Sequence, residues 1–556
     1  MSLNRFFYVI SLALFLQSNL AQGKSIADTT EWRLRDKKAQ EATNKKLQQT
    51  TPPIQLPSTE SLPKASDESV CFIIKTIEIE GLMSVWAKKE GQPYINKCIG
   101  LQSISAYIRL INKKLLAEGY ITSRAYLPEQ NLSSHTLIIK TQEGIIENIE
   151  FPKTYHFFWS HSIPLQIGNV LNLRDTEQAV DQLNRLQSQN IEFKIKPGLK
   201  KNGSILVAET KETKRWYINA SIDDSGSSST GKYPISLSGG FDNTFFIQDT
   251  LSYSFSAARE ANTGKSNSAS ITWELPVGYW LFKINKSYSN YQQKTEGNVT
   301  DFELTGNSND NKLSVDYVLS RDNKTKTSLF GHLKTRERHS FINGTEIKVQ
   351  QLNLTEIEFG ASYRRYINKS VLDTSLSMHQ GLELLGADSV DEEDNADAAQ
   401  PDYQFYSLTS SFSHPFSLFK QNLNYTGQFF AQMTKNSIYS LDWFSIGGRY
   451  TVRGFKSDQS LSSDKGWRIK NDITLPISIS KYYATSYLGM DIGQVFGEGI
   501  EDEDESKNTL TSLTLGIKGR LFGVNYDIFT SKPFLAYGPY ASASDYTVNA
   551  SLSAQF

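Results

Sequence analysis

Three features are scarce in this chain of 556 residues: cysteine, net charge and long apolar runs. The chain has two cysteines, and its 58 basic residues almost balance 59 acidic ones. Balanced charge gives no reason to expect a nucleic-acid partner. Beyond residue 23, no apolar run is long enough for a transmembrane helix. If the protein crosses a membrane, it must do so as a closed β-barrel, the other fold that leaves no backbone group unpaired in lipid.

The first 23 residues have the pattern of a secretory signal peptide. Arg5 supplies the positive start, residues 6–16 form a short apolar core, and residues 21–23 offer a small-residue cleavage site. An uncleaved anchor helix is the alternative, but this core is too short to span a bilayer comfortably. We therefore expect an exported protein, and the length of the chain favours several domains.

In an exported protein, Cys71 and Cys98 are candidates for a disulfide that closes a modest loop. Two free, buried thiols are the alternative. The spacing and the neighbours of these cysteines do not suit a zinc site. We predict no metal site and no cofactor.

Residues 24–50 combine helix propensity with polar side chains on every face. A helix is predicted over 28–50, where Asp28 and Glu31 have capping-box spacing but no continuous apolar stripe follows. Such a helix needs a watery environment, which could be an exposed tail or a water-filled lumen. The next segment, 51–69, is rich in proline and small polar residues, which predicts an extended linker of considerable reach.

From Cys71 onwards the pattern becomes globular and occurs twice. The first unit has a strand, a helix and two more strands, predicted at 72–80, 101–115, 120–127 and 136–142. The second unit repeats this order, with elements predicted at 145–151, 173–183, 191–195 and 204–209. The repeat predicts two small α+β domains in tandem, over 70–144 and 145–213.

From Trp216 to the end of the chain, two-residue alternation replaces helical periodicity. The last run, Tyr546–Phe556, has apolar residues at every even position and polar residues between them. Its length suits one crossing of a bilayer, and its terminal aromatic suits the membrane interface. A soluble sandwich would not explain an aromatic-rich face that recurs to the final residue. We therefore predict a membrane all-β domain over 214–556, a barrel of about sixteen strands whose last strand pairs with the strand near Trp216.

An even number of strands puts the tight turns at the periplasmic end of such a barrel and the long loops outside. The tight turns are predicted at 275–278, 321–324 and 367–369. Two acidic runs, 391–394 and 501–505, fall in the fifth and seventh outer loops. They could bridge divalent cations to surface lipid, but a merely solvated loop is the simpler interpretation.

The sixth outer loop, Tyr439–Gly466, is the longest and contains the run Val452-Arg453-Gly454-Phe455. Glycines beside a cation and aromatics predict a tightly folded loop with a specific docking site. Asp491 is a candidate partner, because it faces the lumen if the even-numbered residues of its strand face lipid. A guanidinium is the best-shaped partner for an inward carboxylate. Arg453 could therefore tether the loop inside the pore; the alternative is an exposed arginine in a flexible loop.

Short motifs in a fixed order carry a resemblance to one family. Besides Cys71 and Cys98, they are 119–130 (GYITSRAYLPEQ), 171–175 (LNLRD), 182–186 (QLNRL), 229–233 (STGKY), 242–243 (DN), 447–449 (GGR), 452–455 (VRGF) and 489–493 (GMDIG). Each motif is weak alone, but the set in this order is highly specific. The chain resembles the two-partner secretion transporters, the haemolysin activation/secretion proteins of Gram-negative outer membranes.

The resemblance implies two polypeptide-transport-associated (POTRA) domains, a sixteen-stranded transmembrane barrel and a plug helix ahead of the linker. It also implies that Arg453 pairs with Asp491, and that Phe556 is the signal recognised by the machinery that inserts barrels. The chain departs mildly from the family at Thr176, where a larger apolar residue is common, and in its acidic fifth loop.

The expected function is a protein-conducting channel of the outer membrane with its POTRA domains in the periplasm. Sheet edges or grooves of these domains would capture an unfolded exoprotein by strand addition, which demands no particular sequence. The plug would then withdraw from the lumen, and folding of the cargo outside would make its return unfavourable. The expected partners are a large β-helical exoprotein of haemolysin or adhesin type, outer-membrane lipid and the barrel-assembly machinery. Transit could also activate the cargo.

Three other functions fit less of the sequence. A barrel enzyme needs a nucleophile with a base, but no nucleophile motif contains a barrel histidine; these are His332, His339, His379 and His414. A barrel-assembly insertase typically carries more POTRA domains, and a passive porin has no use for them. We therefore expect secretion without enzymatic activity.

Overall fold

The protein is described by a computed structural model over residues 26–48, 68–152, 158–211, 213–260, 264–295, 301–390, 398–456, 460–479, 482–499, 508–536 and 546–556. The predicted signal peptide, nearly all of the predicted linker and both acidic runs lie outside these residues. Within them, no helix combines the length and the apolar character needed to cross a membrane.

The first described element is helix α1, Ile26–Gln48, which is displaced by two residues from the predicted 28–50. It lies inside the barrel lumen, where Trp32 is buried and donates a hydrogen bond to a loop carbonyl. The lumen therefore provides the watery environment that its polar faces require. The alternative of an exposed tail is wrong.

The first periplasmic domain has two small sheets and two helices over residues 68–144, all of which are described. Its elements are β1 (Phe72–Ile74), β2 (Thr76–Glu80), α2 (Ser84–Glu90), β3 (Lys97–Ile99), α3 (Leu101–Ala117), β4 (Arg124–Tyr126) and β5 (Thr136–Gln142). Strand β1 pairs with β3, and the other sheet has the order β2-β5-β4. The predicted strand 72–80 is thus two strands in different sheets, because Lys75 and Thr76 both donate backbone hydrogen bonds to the carbonyl of His135.

Two further features of this domain bear on the predictions. The predicted strand 120–127 shortens to β4, because a turn in which the Ser123 N–H donates to the Tyr120 carbonyl occupies its first half. Cys71 and Cys98 are joined by a disulfide, which ties the start of the domain to β3. The protein therefore has the bonded form of this pair rather than two free thiols.

The second periplasmic domain has one sheet and one helix in its described residues. Its elements are β6 (Ile145–Glu150), α4 (Leu173–Leu183), β7 (Ile191–Pro197) and β8 (Gly203–Thr210). The sheet order is β6-β8-β7, with β6 and β8 parallel. Helix α4 begins after Asn172, whose side chain accepts a hydrogen bond from the Arg174 N–H and so caps the helix. All four elements lie within two residues of their predicted positions.

The described residues from Trp216 onwards form a closed, antiparallel barrel of sixteen long strands, which confirms the predicted fold class. In chain order the strands are β9 (Trp216–Asp223), β10 (Ile235–Asp242), β11 (Thr250–Glu260), β12 (Gly264–Val277), β13 (Trp280–Thr295), β14 (Phe302–Arg321), β15 (Thr325–Ile342), β16 (Thr345–Glu346), β17 (Leu352–Ile367), β18 (Ser370–Leu382), β19 (Gln404–Leu418), β20 (Gln421–Thr434), β21 (Phe444–Ile446), β22 (Leu461–Ser463), β23 (Lys465–Ile479), β24 (Tyr482–Phe496), β25 (Thr509–Leu521), β26 (Val524–Ala536) and β27 (Thr547–Gln555). The short β16, β21 and β22 belong to outer loops. Strand β27 pairs with β9 and closes the barrel.

Side chains alternate between lipid and lumen along each strand. In β25, Leu513 and Leu515 are exposed on the outer face, whereas Ser512 and Thr514, which alternate with them, are buried inside. An apolar outer face with a polar interior is what a lipid-facing barrel requires. The turns between β12 and β13, β14 and β15, and β17 and β18 are short, and the first two contact the second periplasmic domain.

Candidate functional site in the barrel lumen

The sixth outer loop joins β20 to β23 and folds into the lumen instead of projecting outwards. Strands β21 and β22 pair within it as a hairpin. Gly447, Gly448 and Gly454 have φ angles of 92°, 123° and 92°, in the left-handed region that glycine adopts without steric cost. These glycines allow the tight folding of the loop.

Arg453 is the central residue of this loop. Its Nε donates to Oδ2 of Asp491 at 2.6 Å, and its Nη2 donates to Oδ1 of the same carboxylate at 2.7 Å. Nη2 also donates to Asp472 at 2.8 Å, and the guanidinium lies 5.9 Å from the centre of the Tyr487 ring. The structure thus brings Arg453 and Asp491 together as a two-pronged pair. It adds Asp472, which sequence reasoning missed.

The pair is sealed from water. Arg453 is 3% exposed and Asp491 is 0% exposed. Removing one partner of a buried ion pair typically costs about 3–5 kcal/mol, because the other charge is left uncompensated in a low-dielectric environment. The arginine is therefore a fixed anchor of the loop, and the alternative of an exposed arginine is wrong.

The residues on either side of the arginine fill the space between the loop and the wall. Val452 and Phe455 are buried in an apolar cluster with residues of β24 and β25. Gly454 has a left-handed backbone, and a Cβ at this position would come within 3.2 Å of Ser512 and 3.3 Å of Pro533. A larger residue there would be strained both by its backbone and by its neighbours.

One carboxylate joins helix α1 to both the loop and the wall. Asp36 accepts hydrogen bonds from Arg468 Nη2 at 3.0 Å and from Ser445 Oγ at 2.8 Å. Arg468 also donates to the Ser445 carbonyl at 3.0 Å and lies over the rings of Phe430 and Phe444. Asp36 and Arg468 are both buried. Helix α1 and the sixth loop therefore share one polar network, whose members sequence reasoning did not identify.

Three other side chains of α1 also contact the barrel or its loops. Trp32 is 2% exposed and packs in an aromatic cluster that includes Trp443 of the sixth loop. Arg35 donates to the Trp443 carbonyl at 2.6 Å. Lys37 pairs with Asp223, at the outer end of β9, at 2.9 Å. The cluster around Trp32 also includes Leu354 of β17 and Phe405 of β19, so this end of α1 contacts the barrel wall as well as the sixth loop.

The lumen is more open further along α1, near Thr43. A cavity of about 220 Å³ separates Thr43 of α1 from the wall formed by β15 to β20. Its lining is rich in hydroxyl groups, which belong to Ser328, Ser362, Thr374, Ser375, Thr409, Ser410 and Ser411. Arg364 and Asp373, paired at 2.7 Å, lie at the same cavity. Helix α1 therefore contacts strands of this wall near Trp32 and is separated from them by the cavity near Thr43.

One group of side chains in the described lumen could hold a metal ion. The donor atoms of Glu356, Glu358 and His379 lie within 4.8 Å of one another. Each carboxylate already has protein partners: Tyr403 donates to Glu356 at 2.9 Å, and His332 Nδ1 lies 2.7 Å from Glu358. Because these pairings satisfy the carboxylates without a cation, we assign the group a structural role in the wall.

His379 also lies between a hydroxyl and a carboxylate. Its Nε2 is 3.1 Å from Ser377 Oγ, and its Nδ1 is 3.0 Å from Glu356. A serine hydrolase adds preorganised N–H donors for an oxyanion, but Ser377 lies in a strand that is paired with β17 on one side and β19 on the other. We therefore assign this arrangement no catalytic role. The other barrel histidines, His339 and His414, hydrogen-bond to Glu346 and Ser370.

Helix α4 docks the second periplasmic domain on the barrel turns. Asp181 pairs with Arg321 at 2.6 Å and with Lys326 at 3.0 Å. Gln182 donates to the carbonyl of Gly278 at 2.8 Å. Burial alone would raise the pKa of Asp181, but Lys326 and Arg321 outweigh it, so the pKa of this carboxyl is lowered. The docking therefore depends in part on ionised groups.

The chain ends at the periplasmic end of the seam. The Phe556 N–H donates to the Ile218 carbonyl at 2.9 Å, and the Phe556 side chain is exposed. An exposed terminal aromatic is accessible to another protein. Its role as an assembly signal stays a prediction.

Three family models match the chain. Residues 202–519 match the haemolysin secretion/activation proteins ShlB, FhaC and HecB. Residues 72–144 match the ShlB-type POTRA domain, and residues 145–197 match a POTRA domain. Together these matches cover both periplasmic domains and most of the barrel.

Individual proteins are similar over most of their length. The outer membrane transporter CdiB-2 of Burkholderia pseudomallei is 31% identical over 528 residues, which cover 90% of this chain and 89% of that protein. The hemolysin transporter protein ShlB of Serratia marcescens is 27% identical over 449 residues, which cover 79% of this chain and 78% of that protein. Among solved structures, CdiB from Escherichia coli matches with a TM-score of 0.85 at 23% identity, over 96% of this chain and 99% of that one.

Proposed function

The chain belongs to the haemolysin secretion/activation protein family, and on this premise we propose that it exports one exoprotein through its barrel by two-partner secretion. It is an outer-membrane transporter with two POTRA domains in the periplasm. The exoprotein is secreted by the same system. We propose that it is a large β-helical protein of haemolysin or adhesin type, which passes through the lumen unfolded.

The observation that carries the proposal is that two parts occupy the lumen, the sixth loop and helix α1, and that the loop is fixed more firmly than the helix. Arg453 fixes the sixth loop by a pair that water does not reach. Helix α1 buries only Trp32 and Asp36 among its described side chains 32–44. The helix can therefore leave the lumen by breaking the contacts of two buried side chains, while the sixth loop stays in place. A transporter of unfolded protein needs such a plug, because an empty lumen would leak small solutes.

We infer that the functional parts have the boundaries predicted from the sequence. These are a signal peptide at 1–23, a plug at 24–50, a linker at 51–69, POTRA domains at 70–144 and 145–213, and a barrel at 214–556. Helix α1 and the barrel strands support this division, because each lies within its part. The linker would let the plug withdraw while the POTRA domains stay in place.

Strand β7 of the second POTRA domain offers a sheet edge for capture of the cargo. Lys211 donates to Asn190 at one end of its ladder, and Gly198 donates to Gly203 at the other. Because alternate residues bond to β8, Phe193 and Ile195 direct their N–H and C=O groups to the open edge. An extended cargo segment could add to these groups without any particular sequence.

The open edge of β7 is short. The Asn184 side chain bonds both backbone groups of Ile191 at one end, and Pro197, which has no N–H, ends the strand at the other. A cargo strand would therefore be held weakly and could be passed on to the lumen. Transport needs no nucleotide in this scheme, because folding of the cargo outside the cell makes its return unfavourable.

We propose two further partners. Outer-membrane lipid would surround the apolar outer face of the strands. The barrel-assembly machinery would recognise the exposed Phe556 at the end of β27. Enzymatic activity is not part of the proposal, since the family is one of transporters.

A deletion strain tests the function. Cells that lack this protein should retain the partner exoprotein in the periplasm, and a plasmid copy should restore its surface delivery. Other outer-membrane barrels should assemble normally in the same cells, which separates secretion from a barrel-insertase function. Normal surface delivery without the protein would overturn the proposal.

A further inference from the structure

The barrel closes through the shortest backbone ladder between neighbouring long strands in the described residues. Strand β27 pairs with β9 over five residues, Ser551–Gln555, whereas β9 pairs with β10 over seven residues and β26 with β27 over eight. Strand β9 ends at Asp223, while β27 begins at Thr547. The outer part of β27, residues 547–550, therefore has no partner in β9 within the described seam.

Arg449 of the sixth loop lies where this ladder stops. Its Nη1 donates to Oδ1 of Asp224 at 2.7 Å, and its Nη2 donates to Oγ of Ser551 at 3.0 Å. Asp224 directly follows β9 and Ser551 belongs to β27, so one guanidinium spans the seam. Asn549 donates to the second oxygen of Asp224 at 2.8 Å, and the ring of Phe529 lies 4.8 Å from the guanidinium.

The same strand end receives two more contacts from inside. The Tyr450 hydroxyl donates to Asp223 at 3.2 Å, and Lys37 of the plug pairs with the same carboxylate at 2.9 Å. When the plug leaves, the Lys37 contact is lost, while Arg449 and Tyr450 remain with the loop. The seam therefore depends most on Arg449 when the lumen is open.

We propose that Arg449 is a positioning residue that holds the outer half of the barrel seam shut. A closed barrel leaves no strand edge in lipid, and here a side-chain clasp takes the place of missing backbone bonds. The loop then has two anchors. Arg453 fixes the loop to the wall, and Arg449 uses the fixed loop to hold the first strand to the last.

A disulfide across the seam provides the test. Ser221 and Ser553 lie directly opposite each other, and their side chains point to the lumen with the other odd-numbered residues. Because Phe556 donates to Ile218, the Ser221 and Ser553 pair falls between hydrogen-bonded pairs. Such pairs have Cα atoms about 4.5 Å apart, within the range of disulfides. The double variant Ser221→Cys with Ser553→Cys changes one atom in each side chain and should leave export unchanged.

The measurements are the temperature at which the full-length barrel unfolds in detergent gels, and export of the partner exoprotein. Arg449→Ala should lower the unfolding temperature by several degrees and reduce export severalfold. Adding the oxidised seam disulfide should restore both. Arg449→Lys keeps the charge but loses the guanidinium that bonds both strands, so its unfolding temperature and its export should lie between those of the wild type and Arg449→Ala. Arg259→Ala, at an exposed arginine of β11, is the matched control and should have no effect.

Several results would overturn the proposal. One is an Arg449→Ala barrel as heat-resistant as the wild type. Another is a variant whose unfolding temperature or export stays low after the seam is locked, because Arg449 would then act elsewhere. If Arg449→Ala does not reach the membrane, Asn549→Ala removes one bond and should lower the unfolding temperature less. The inference rests on the proposed function only for the export measurement, since unfolding of the barrel reports on the seam even if no cargo is exported.

Discussion

Two of the arginine–aspartate pairs in this protein anchor different parts of it and differ in their access to water. In the lumen, Arg453 and Asp491 approach to 2.6 Å with side chains 3% and 0% exposed. At the periplasmic base, Arg321 and Asp181 approach to the same 2.6 Å with side chains 10% and 43% exposed. The charged groups and the shortest distance are the same, but the lumenal pair is two-pronged and buried, whereas Asp181 accepts one bond from Arg321 and is half-exposed.

Burial decides what each pair can do. Breaking a buried pair costs about 3–5 kcal/mol, whereas an exposed pair contributes roughly 0–1 kcal/mol and is weakened by salt. The buried pair therefore suits a part that must stay in place, the sixth loop. The half-exposed pair would suit a domain that shifts, as the proposed transfer of cargo to the lumen requires. Distance on its own would have ranked the two anchors equally.

The largest effect should come from removing the buried anchor. We expect Arg453→Ala to abolish export, because Asp491 is left buried without a counter-charge and the loop loses its fixed position. The barrel should still form, since the long ladders of its sixteen strands do not involve this side chain. Surface delivery of the exoprotein and heat-modifiability of the barrel in gels are the measurements.

Two companion variants sharpen this result. Arg453→Lys keeps the charge but cannot form the two-pronged pair, so export should stay low. Replacing both partners, with Arg453→Met and Asp491→Leu, removes the buried charge of Asp491 and leaves Asp472, which is 25% exposed, so heat resistance should recover without recovery of export. Wild-type export by Arg453→Ala would show that the loop needs no anchor. It would contradict the conclusion that the buried pair matters more than the pair at the periplasmic base.

An intermediate effect should follow at the buried pair that transport has to break. Asp36→Asn keeps the shape of the side chain but removes the charge that meets Arg468. Hydrogen bonds to charged groups contribute about 1.5–3 kcal/mol, so the open fraction of channels in planar bilayers should rise roughly tenfold or more. Current recordings of single channels measure this directly.

Deletion of the plug sets the upper limit for that experiment. Removing residues 28–50 should give channels that are permanently open and have a larger conductance. Asp36→Asn channels should reach that conductance only part of the time. Lys38→Ala, at an exposed position of the same helix, is the control and should leave the recordings unchanged. An unchanged conductance after the deletion would mean that α1 is not the plug.

The two lumenal networks also show what sequence can and cannot predict. Arg453 and Asp491 could be paired in advance, because a glycine-rich motif marked the loop and two-residue parity marked the inward face of β24. Asp36 and Arg468 could not be paired. Helix α1 has charges on all sides, and which of them meets the wall depends on how the helix is rotated in the lumen.

A similar contrast separates the barrel from the periplasmic domains. Alternation repeated over many strands predicts the strand number, because each error in one strand is corrected by its neighbours. The break at Lys75 was missed, since it depends on one carbonyl, that of His135, which is distant in sequence. Arg449 was visible in a motif, but its role depends on where the ladder of the seam stops.

The smallest effect should come from the exposed pair at the base. The pKa of Asp181 is lowered in the folded protein, so its contribution to docking is present above the ordinary pKa of about 3.9 and is lost as the pH falls through the lowered value. Docking should therefore hold between about pH 5 and 8 and weaken below about pH 4. High salt at pH 7 should loosen it slightly. Spin labels at Lys201 and Lys369, both exposed, would report the distance between the domain and the barrel.

Asp181→Asn provides the matched variant. It should give at pH 7 the slightly broadened distance distribution that the wild type gives at low pH, and it should respond little to acid or salt. If wild type and variant instead behave alike under all conditions, the docking depends on uncharged bonds such as that from Gln182 to the Gly278 carbonyl. The exposed arginine pair would then contribute nothing measurable, and the difference between the two anchors would be larger than burial alone predicts.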